Sequence, residues 1–250
     1  MSSMPRSVGL RIALGQFRSA WRGGRLRRRC APLGWVIFSA LSSTVAHASE
    51  HDICQIGDPV NANLGLAQIK PSKGTDLRQA EAPCPDANDR CKPEIHLKKN
   101  ELVLTTGRVN GPYVCVYVAG SYLDQGGYVK QTDIAPRPPL PLKVWKGKWS
   151  EPFGSWIRLS VEGAALKAEG EAFYPSAHPS KKDFPGGPHM GDMPPGPATP
   201  RNNVAVFSNP DDHDPEGCRV IVALDKATLI VSDNGNCGGM NVRFSGYYYR

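Results

Sequence analysis

Hydrophobic and polar residues alternate in short runs from Pro93 to the end of the chain, which is the period-2 pattern typical of β-strands. The runs are separated by turn sequences such as Asn110-Gly111-Pro112 and Gly126-Gly127. Gly (26) and Pro (23) together account for 49 of the 250 residues, which argues against a helical bundle. We therefore predict an all-β protein with strands within residues 95–97, 102–104, 113–118, 128–129, 157–161, 166–173, 204–207, 220–224, 228–231 and 242–248.

The first 48 residues have a different pattern. Eight Arg residues precede an apolar stretch over residues 33–41, and Ala46-His47-Ala48 then offers small residues to a signal peptidase. This arrangement predicts a Sec signal peptide cleaved after Ala48. The alternative is a membrane anchor, but the uncharged stretch of residues 31–46 is shorter than the ~20 residues that span a bilayer. We expect a periplasmic or secreted protein that is not attached to the membrane after cleavage.

The charge of the chain depends on this leader. The formal net charge is +7, from 30 basic and 23 acidic residues, but eight of the Arg residues lie within residues 1–48. The remaining 22 basic and 23 acidic residues give a net charge of −1. A nucleic-acid partner is therefore not expected, because such partners select basic surfaces.

Six cysteines remain after the leader, at positions 54, 84, 91, 115, 218 and 237, and no C-x2-C pair suggests zinc. An even number in an exported chain predicts three disulfides, although six cysteines allow fifteen pairings. Cys218 and Cys237 have only each other as neighbours, so we predict that bridge. Among the other four we favour Cys84–Cys91 and Cys54–Cys115.

A short set of motifs follows Lys98. It comprises Lys98-Lys99-Asn100, an apolar run at 102–104, Asn110-Gly111-Pro112-Tyr113, Gly127-Tyr128-Val129 and Ile134. This set resembles a bacterial SH3-like domain. The resemblance implies a small barrel over residues 91–135 that attaches to cell-wall peptides or to another envelope protein through aromatic residues such as Tyr113 and Tyr128. Residues 49–90 show no sustained periodicity and are predicted to be an irregular N-terminal arm.

Four prolines lie between Ala135 and Leu142. We therefore predict that residues 136–142 form a semi-rigid linker. The following residues, 143–250, are predicted to form a C-terminal antiparallel β-barrel or sandwich. Gly147-x-Trp149 near its start resembles the lipocalin-like (calycin) barrels, in which an N-terminal Trp packs under a cationic side chain. Here that cation would be Arg243 or Arg250. The C-terminal stretch from Cys237 resembles the ending of a class of proteobacterial secreted proteins.

Aromatic residues give the candidate ligand site. Trp145, Trp149 and Trp156 lie within twelve residues, and Tyr247-Tyr248-Tyr249 lies near the C-terminus. They either line a platform for a sugar or peptide or close the barrel core. Because side chains alternate along a strand, Tyr247 and Tyr249 should share the face opposite Tyr248. The candidate ligand-binding residues are Tyr113, Tyr128, Trp145, Trp149 and Tyr248.

The segment of residues 175–202 holds eight prolines and four glycines in 28 residues, so we expect a long loop without regular structure. Loops of this length are usually functional or disordered. His189, Met190 and Met193 offer imidazole and thioether groups that suit copper, but their spacing matches no specific metal motif. A solvated loop is the alternative, and we predict no cofactor.

The sequence lacks the catalytic motifs G-x-S-x-G, H-E-x-x-H and S-x-x-K, whereas a pair of catalytic carboxylates, which are distant in the chain, has no such local signature. We therefore expect a non-catalytic, disulfide-stapled binding protein of the cell envelope, whose partner is a cell-wall peptide or glycan or an envelope protein. One alternative is an inhibitor of an envelope hydrolase such as lysozyme. Another is a metal-binding protein or enzyme with a site under the loop of residues 175–202.

Overall fold

A computed structural model of the chain describes residues 54, 63–79, 84, 93–121, 123, 125–209 and 217–250. Strands dominate these residues, and the helical content is limited to 3-10 turns at Gln131–Asp133 and Leu142–Val144. The all-β prediction is confirmed. The strands are β1 (Gly65–Ile69), β2 (Thr75–Arg78), β3 (Pro93–Leu97), β4 (Leu102–Asn110), β5 (Tyr113–Val118), β6 (Gly126–Lys130), β7 (Ile134–Pro136), β8 (Gly147–Ser150), β9 (Trp156–Glu162), β10 (Ala165–Tyr174), β11 (His189–Asp192), β12 (Val204–Ser208), β13 (Arg219–Asp225), β14 (Thr228–Asp233) and β15 (Gly246–Tyr248).

The first seven strands form one antiparallel sheet in the order β3-β2-β6-β5-β4-β1-β7. β1 and β2 fall within residues 49–90, so the prediction of an irregular arm is wrong for these two segments. β1 lies between β4 and β7 and is buried at Leu66, Ala67 and Ile69. A strand covered on both faces does not alternate in hydrophobicity, and the period-2 pattern therefore misses it.

The other eight strands form two four-stranded antiparallel sheets, β11-β10-β9-β8 and β12-β13-β14-β15. A bridge between Ser150 and Tyr249 joins them, with main-chain hydrogen bonds of 2.8 and 2.9 Å in the two directions. Their inner faces pack into one apolar cluster that includes Trp149, Phe207 and Phe244. The antiparallel pairing expected for residues 143–250 is thus present in two sheets that share one apolar cluster.

The sheet of β12–β14 is covered on both of its faces. Val220 and Val222 of β13 point into the C-terminal cluster, whereas Ile221 points into a second cluster that contains Tyr117 and Tyr128 of the N-terminal sheet. This double burial explains why β13 is buried at six consecutive positions. The described residues from Cys54 onwards form one compact unit.

The Pro-rich segment of residues 136–142 lies against this sheet. The amide of Asn203 donates to the carbonyl of Pro138 and accepts the N–H of Leu140, both at 2.7 Å. Arg137 pairs with Asp225 at 2.7 Å, and both side chains are largely buried. The segment is therefore fixed by side-chain hydrogen bonds; the division of the chain into an SH3-like domain and a barrel domain stays a prediction.

Two of the predicted disulfides, Cys54–Cys115 and Cys218–Cys237, are confirmed. Cys84 is buried, and Cys91, its predicted partner, lies outside the described residues, as does the predicted signal peptide of residues 1–48. The disulfides are consistent with an oxidising, extracytoplasmic location. Within the described part of the chain, no helix has the length and apolar character needed to span a membrane.

Two segments differ from the sequence prediction in the C-terminal half. Residues 175–202 contain the strand β11, which pairs with β10, so the expectation of no regular structure is wrong there. Within residues 242–248 only Gly246–Tyr248 is a strand. Here the N–H groups of Phe244 and Ser245 donate to the carboxylate of Asp233 instead of to a neighbouring strand.

Candidate functional site

The five aromatic residues predicted to bind a ligand are buried. Tyr113 and Tyr128 belong to the cluster between the N-terminal sheet and β12–β14, and the other three, Trp145, Trp149 and Tyr248, belong to the C-terminal cluster. Their side chains are therefore largely closed to a ligand, and of the five only Tyr248, which is 1% exposed, borders the cleft described below. The structure brings Trp145, Trp149 and Tyr248 together in one core and keeps Tyr113 and Tyr128 apart from them.

The contact between a tryptophan and a cation expected at the start of the C-terminal half is present. The guanidinium of Arg250 lies 4.1 Å from the ring centre of Trp149, whose indole N–H donates to the carbonyl of Trp145. Arg250 also donates to the carbonyls of Val144 and Lys146. Arg250, and not Arg243, therefore covers this tryptophan.

The C-terminal tyrosines alternate as predicted. Tyr247 and Tyr249 are 42% and 52% exposed, whereas Tyr248 between them is buried. The hydroxyl of Tyr248 donates to the carbonyl of Phe244 at 2.9 Å, and burial raises the pKa of this phenol far above its usual value. Burial also raises the pKa of Tyr247, whose hydroxyl donates to the carbonyl of Ala119. Both hydroxyls are thus fixed as donors, and the buried Tyr248 lies between the two exposed tyrosines.

A cleft of about 640 Å³ opens beside these two rings. Three segments line it: the turn of residues 151–155, the end of β10 with Pro175, and the segment from Asn241 to Tyr249. Phe153 and Tyr174 add exposed rings to those of Tyr247 and Tyr249. Sequence reasoning misses Phe153 and Tyr174, because an isolated aromatic residue in a turn or before a proline carries no periodic signal.

The turn that carries Phe153 is held by Glu151. The two oxygens of its carboxylate accept the N–H groups of Phe153 and Ser155, both at 2.8 Å. Gly154 in this turn has φ of +104°, and a Cβ there would meet the Cβ of Ala177 at 2.5 Å. Phe153 is 67% exposed as a result of this fixed turn and not of a loose loop.

The part of the lining that includes Arg243 and Ser245 is held by the buried carboxylate of Asp233. Asp233 accepts the N–H of Ser245 at 2.8 Å, the N–H of Gly235 at 2.7 Å and the N–H of Phe244. Arg243 donates to the carbonyl of Gly235 at 2.6 Å. Both walls of the cleft are thus fixed by carboxylates that bond main-chain N–H groups, so the cleft is preorganised.

Exposed apolar side chains concentrate at this cleft. The described residues contain seven exposed large apolar side chains, and four of them line the cleft. Met190 pairs with Phe173 of the lining, and Met240 precedes Asn241 of the lining. Val109, in β4 of the other half, is the remaining one.

The candidate metal ligands do not converge. His189 and Met190 are exposed neighbours in β11, so their side chains leave the strand on opposite faces, and Met193 is buried in the C-terminal cluster. The ring of His189 instead contacts that of Tyr174. Among the described residues, no three His, Cys, Asp or Glu side chains are grouped as metal ligands.

Comparison with known proteins adds no relative. No protein-family model matches the chain, and neither a curated protein nor a solved structure is significantly similar to it. The fold and the cleft therefore carry the functional reasoning.

Proposed function

We propose that this chain is an exported, non-catalytic binding protein of the cell envelope and that its aromatic cleft holds a cell-wall component. The leader of residues 1–48 would direct export, and the disulfides Cys54–Cys115 and Cys218–Cys237 suit the oxidising compartment beyond it. The concentration of exposed rings around one cleft carries the proposal.

Exposed aromatic rings are costly to leave in water, and a contiguous set of them usually marks a surface that is covered by a ligand or partner. Aromatic side chains also bring much contact area with little loss of conformational freedom on binding. In this cleft the walls are fixed by Glu151 and Asp233, so little further ordering is required when a ligand enters.

The resemblance to SH3-like domains implies wall binding through Tyr113 and Tyr128, but both rings lie in the core. The proposal therefore assigns the binding surface to Phe153, Tyr247 and Tyr249. An inhibitor of an envelope hydrolase stays the alternative, because a protein partner would also cover exposed rings.

Co-sedimentation of the oxidised protein with purified peptidoglycan sacculi tests this proposal. We expect saturable binding that the double substitution Phe153→Ala/Tyr249→Ala weakens by about tenfold or more, which corresponds to about 1.4 kcal/mol of binding free energy. Val109→Ala is the matched control, because it removes an apolar side chain of similar exposure (62%) from the other half. If the unaltered protein does not sediment with sacculi, the wall proposal is wrong and the inhibitor becomes the leading hypothesis.

A further inference from the structure

We infer that the cleft recognises a glycan chain and not a peptide, an inference that rests on the proposed function and names the chemistry of its ligand. Three features of the cleft favour a glycan: the hydrogen bonds already made by its main chain, the aromatic rings in its lining and the charges of that lining.

The main chain around the cleft is largely committed to the protein itself. Peptides that bind β-proteins commonly add a strand to a free sheet edge, where main-chain hydrogen bonds provide much of the affinity. At the last strand this edge is closed at Tyr249, which exchanges two hydrogen bonds with Ser150. The part of β15 that is left, Gly246–Tyr248, has three residues, shorter than the usual ~5-residue strand.

The two walls offer no further edge. The N–H groups of Phe153 and Ser155 bond Glu151, and those of Phe244 and Ser245 bond Asp233. These N–H groups are therefore not available to a peptide, whose own main-chain carbonyl groups would lack hydrogen-bond donors in the cleft. Unpaired buried main-chain groups are costly.

The rings suit a ligand with flat apolar faces. Tyr247 lies in β15 and Tyr249 follows two positions later in extended backbone, so their Cα atoms are about 7 Å apart. Phe153 and Tyr174 add rings from the neighbouring segments. A pyranose ring has an apolar C–H face that stacks on an aromatic ring and a rim of hydroxyls that needs acceptors. A glycan chain presents one such face on each sugar, and the cleft lining offers several separate aromatic rings.

The polar lining fits an uncharged sugar. Each carboxylate oxygen of Glu151 accepts one main-chain N–H and keeps a further lone pair for a ligand hydroxyl or amide N–H. Glu151 and Arg243 are the two residues of the described lining with opposite formal charges, so the lining carries no excess of either sign. The fit is to uncharged hexoses or N-acetylhexosamines, and in the glycan strand of the cell wall to its N-acetylglucosamine units, because the alternating N-acetylmuramic acid carries a lactyl carboxylate once its peptide is removed.

Isothermal titration of the oxidised protein with the β-1,4-linked tetramer of N-acetylglucosamine tests this inference. We expect saturable binding that Tyr249→Ala weakens about tenfold, whereas Tyr249→Phe, which keeps the ring, weakens it less. Phe153→Ala repeats the test at a turn outside the strands, and a thermal melt of each variant checks that it is folded. Val109→Ala should bind like the unaltered protein.

A competition on sacculi separates the two proposals. Glycan strands freed of peptide by an amidase should displace the protein from sacculi, and free stem peptides should not. If sacculi bind the protein but only stem peptides compete, the glycan inference is overturned while wall binding stands. If neither sacculi nor the tetramer binds, both proposals fail.

Discussion

Tyr113, Tyr117 and Tyr128 of the N-terminal sheet turn their rings into the cluster shared with β12–β14. Tyr249 of the C-terminal half is instead 52% exposed beside a cleft, and Tyr247, which is 42% exposed at the same cleft, donates its hydroxyl to the carbonyl of Ala119. The same residue type thus stabilises the fold in one half and forms a surface in the other. The difference arises from what covers each sheet face and not from the local sequence, since both groups of tyrosines lie in or directly after strands, where side chains alternate between the two faces.

Each half of the molecule contains one described disulfide, and removing these bridges should give the largest losses of stability. Replacing both cysteines by Ala should cost about 4 kcal/mol for Cys54–Cys115 and about 3 kcal/mol for Cys218–Cys237, because the first closes the longer loop. The sequence separations are 61 and 19 residues. Urea unfolding of the two double variants measures the difference. An equal loss, or a larger loss for Cys218–Cys237, would contradict the loop-length argument.

Asp233 tests how far the cleft wall depends on one carboxylate. Asp233→Ala leaves the N–H groups of Gly235, Phe244 and Ser245 without their acceptor and should destabilise the protein by roughly 3 kcal/mol. Ligand binding should fall as well, because these residues hold the wall. Asp192→Asn, at an exposed carboxylate in β11, is the control for chemical denaturation. A loss below about 1 kcal/mol would show that water replaces the carboxylate.

Substitution of Asn203 tests how much its hydrogen bonds to the Pro-rich segment contribute to stability. Asn203→Ala removes both hydrogen bonds to the Pro-rich segment and places Ala at φ of +63°, so we expect a loss of about 2 kcal/mol. Asn203→Gly removes the same hydrogen bonds but tolerates the backbone, and should be about 1 kcal/mol more stable than the Ala variant. Equal stabilities in thermal unfolding would exclude a contribution from the backbone conformation.

His96 gives the smallest effect and belongs to the N-terminal half alone. Its ring bonds the carboxylate of Asp76 at 2.7 Å and the carbonyl of Lys73 at 2.8 Å, and these bonds, chiefly the first, raise the pKa of His96 above 6.5. The protonated ring is therefore favoured in the folded state. Its stabilisation is complete below about pH 6.5 and is lost as the pH rises through the raised pKa.

An NMR titration of the His96 ring should give a pKa above 6.5 that falls in Asp76→Asn. Cleft binding should not follow this titration. His96→Gln should remove this pH dependence of stability, and a pKa unchanged by Asp76→Asn would refute the assigned cause.

Strand positions were predictable from the sequence where one sheet face is apolar and the other polar, as at Trp156–Glu162. The pattern fails at Gly65–Ile69, which is covered on both faces, and at Phe244 and Ser245, whose N–H groups are captured by Asp233. The alternation of Tyr247 and Tyr249 was predictable, but which face of the sheet is inward depends on residues far away in the chain. For the same reason the sequence does not distinguish Trp149 in the core from Phe153 in the cleft.

Because β12–β14 are covered on both faces, the N-terminal sheet cannot complete its apolar cluster until these strands have been synthesised. Ribosomal synthesis delivers the N-terminal sheet first, yet the strand that covers its tyrosines begins at Val204, 74 residues after the end of β6 at Lys130. Until that strand has been synthesised, the apolar face with Tyr117 and Tyr128 remains exposed to solvent. The nascent chain therefore exposes this apolar face until β12–β14 have been synthesised.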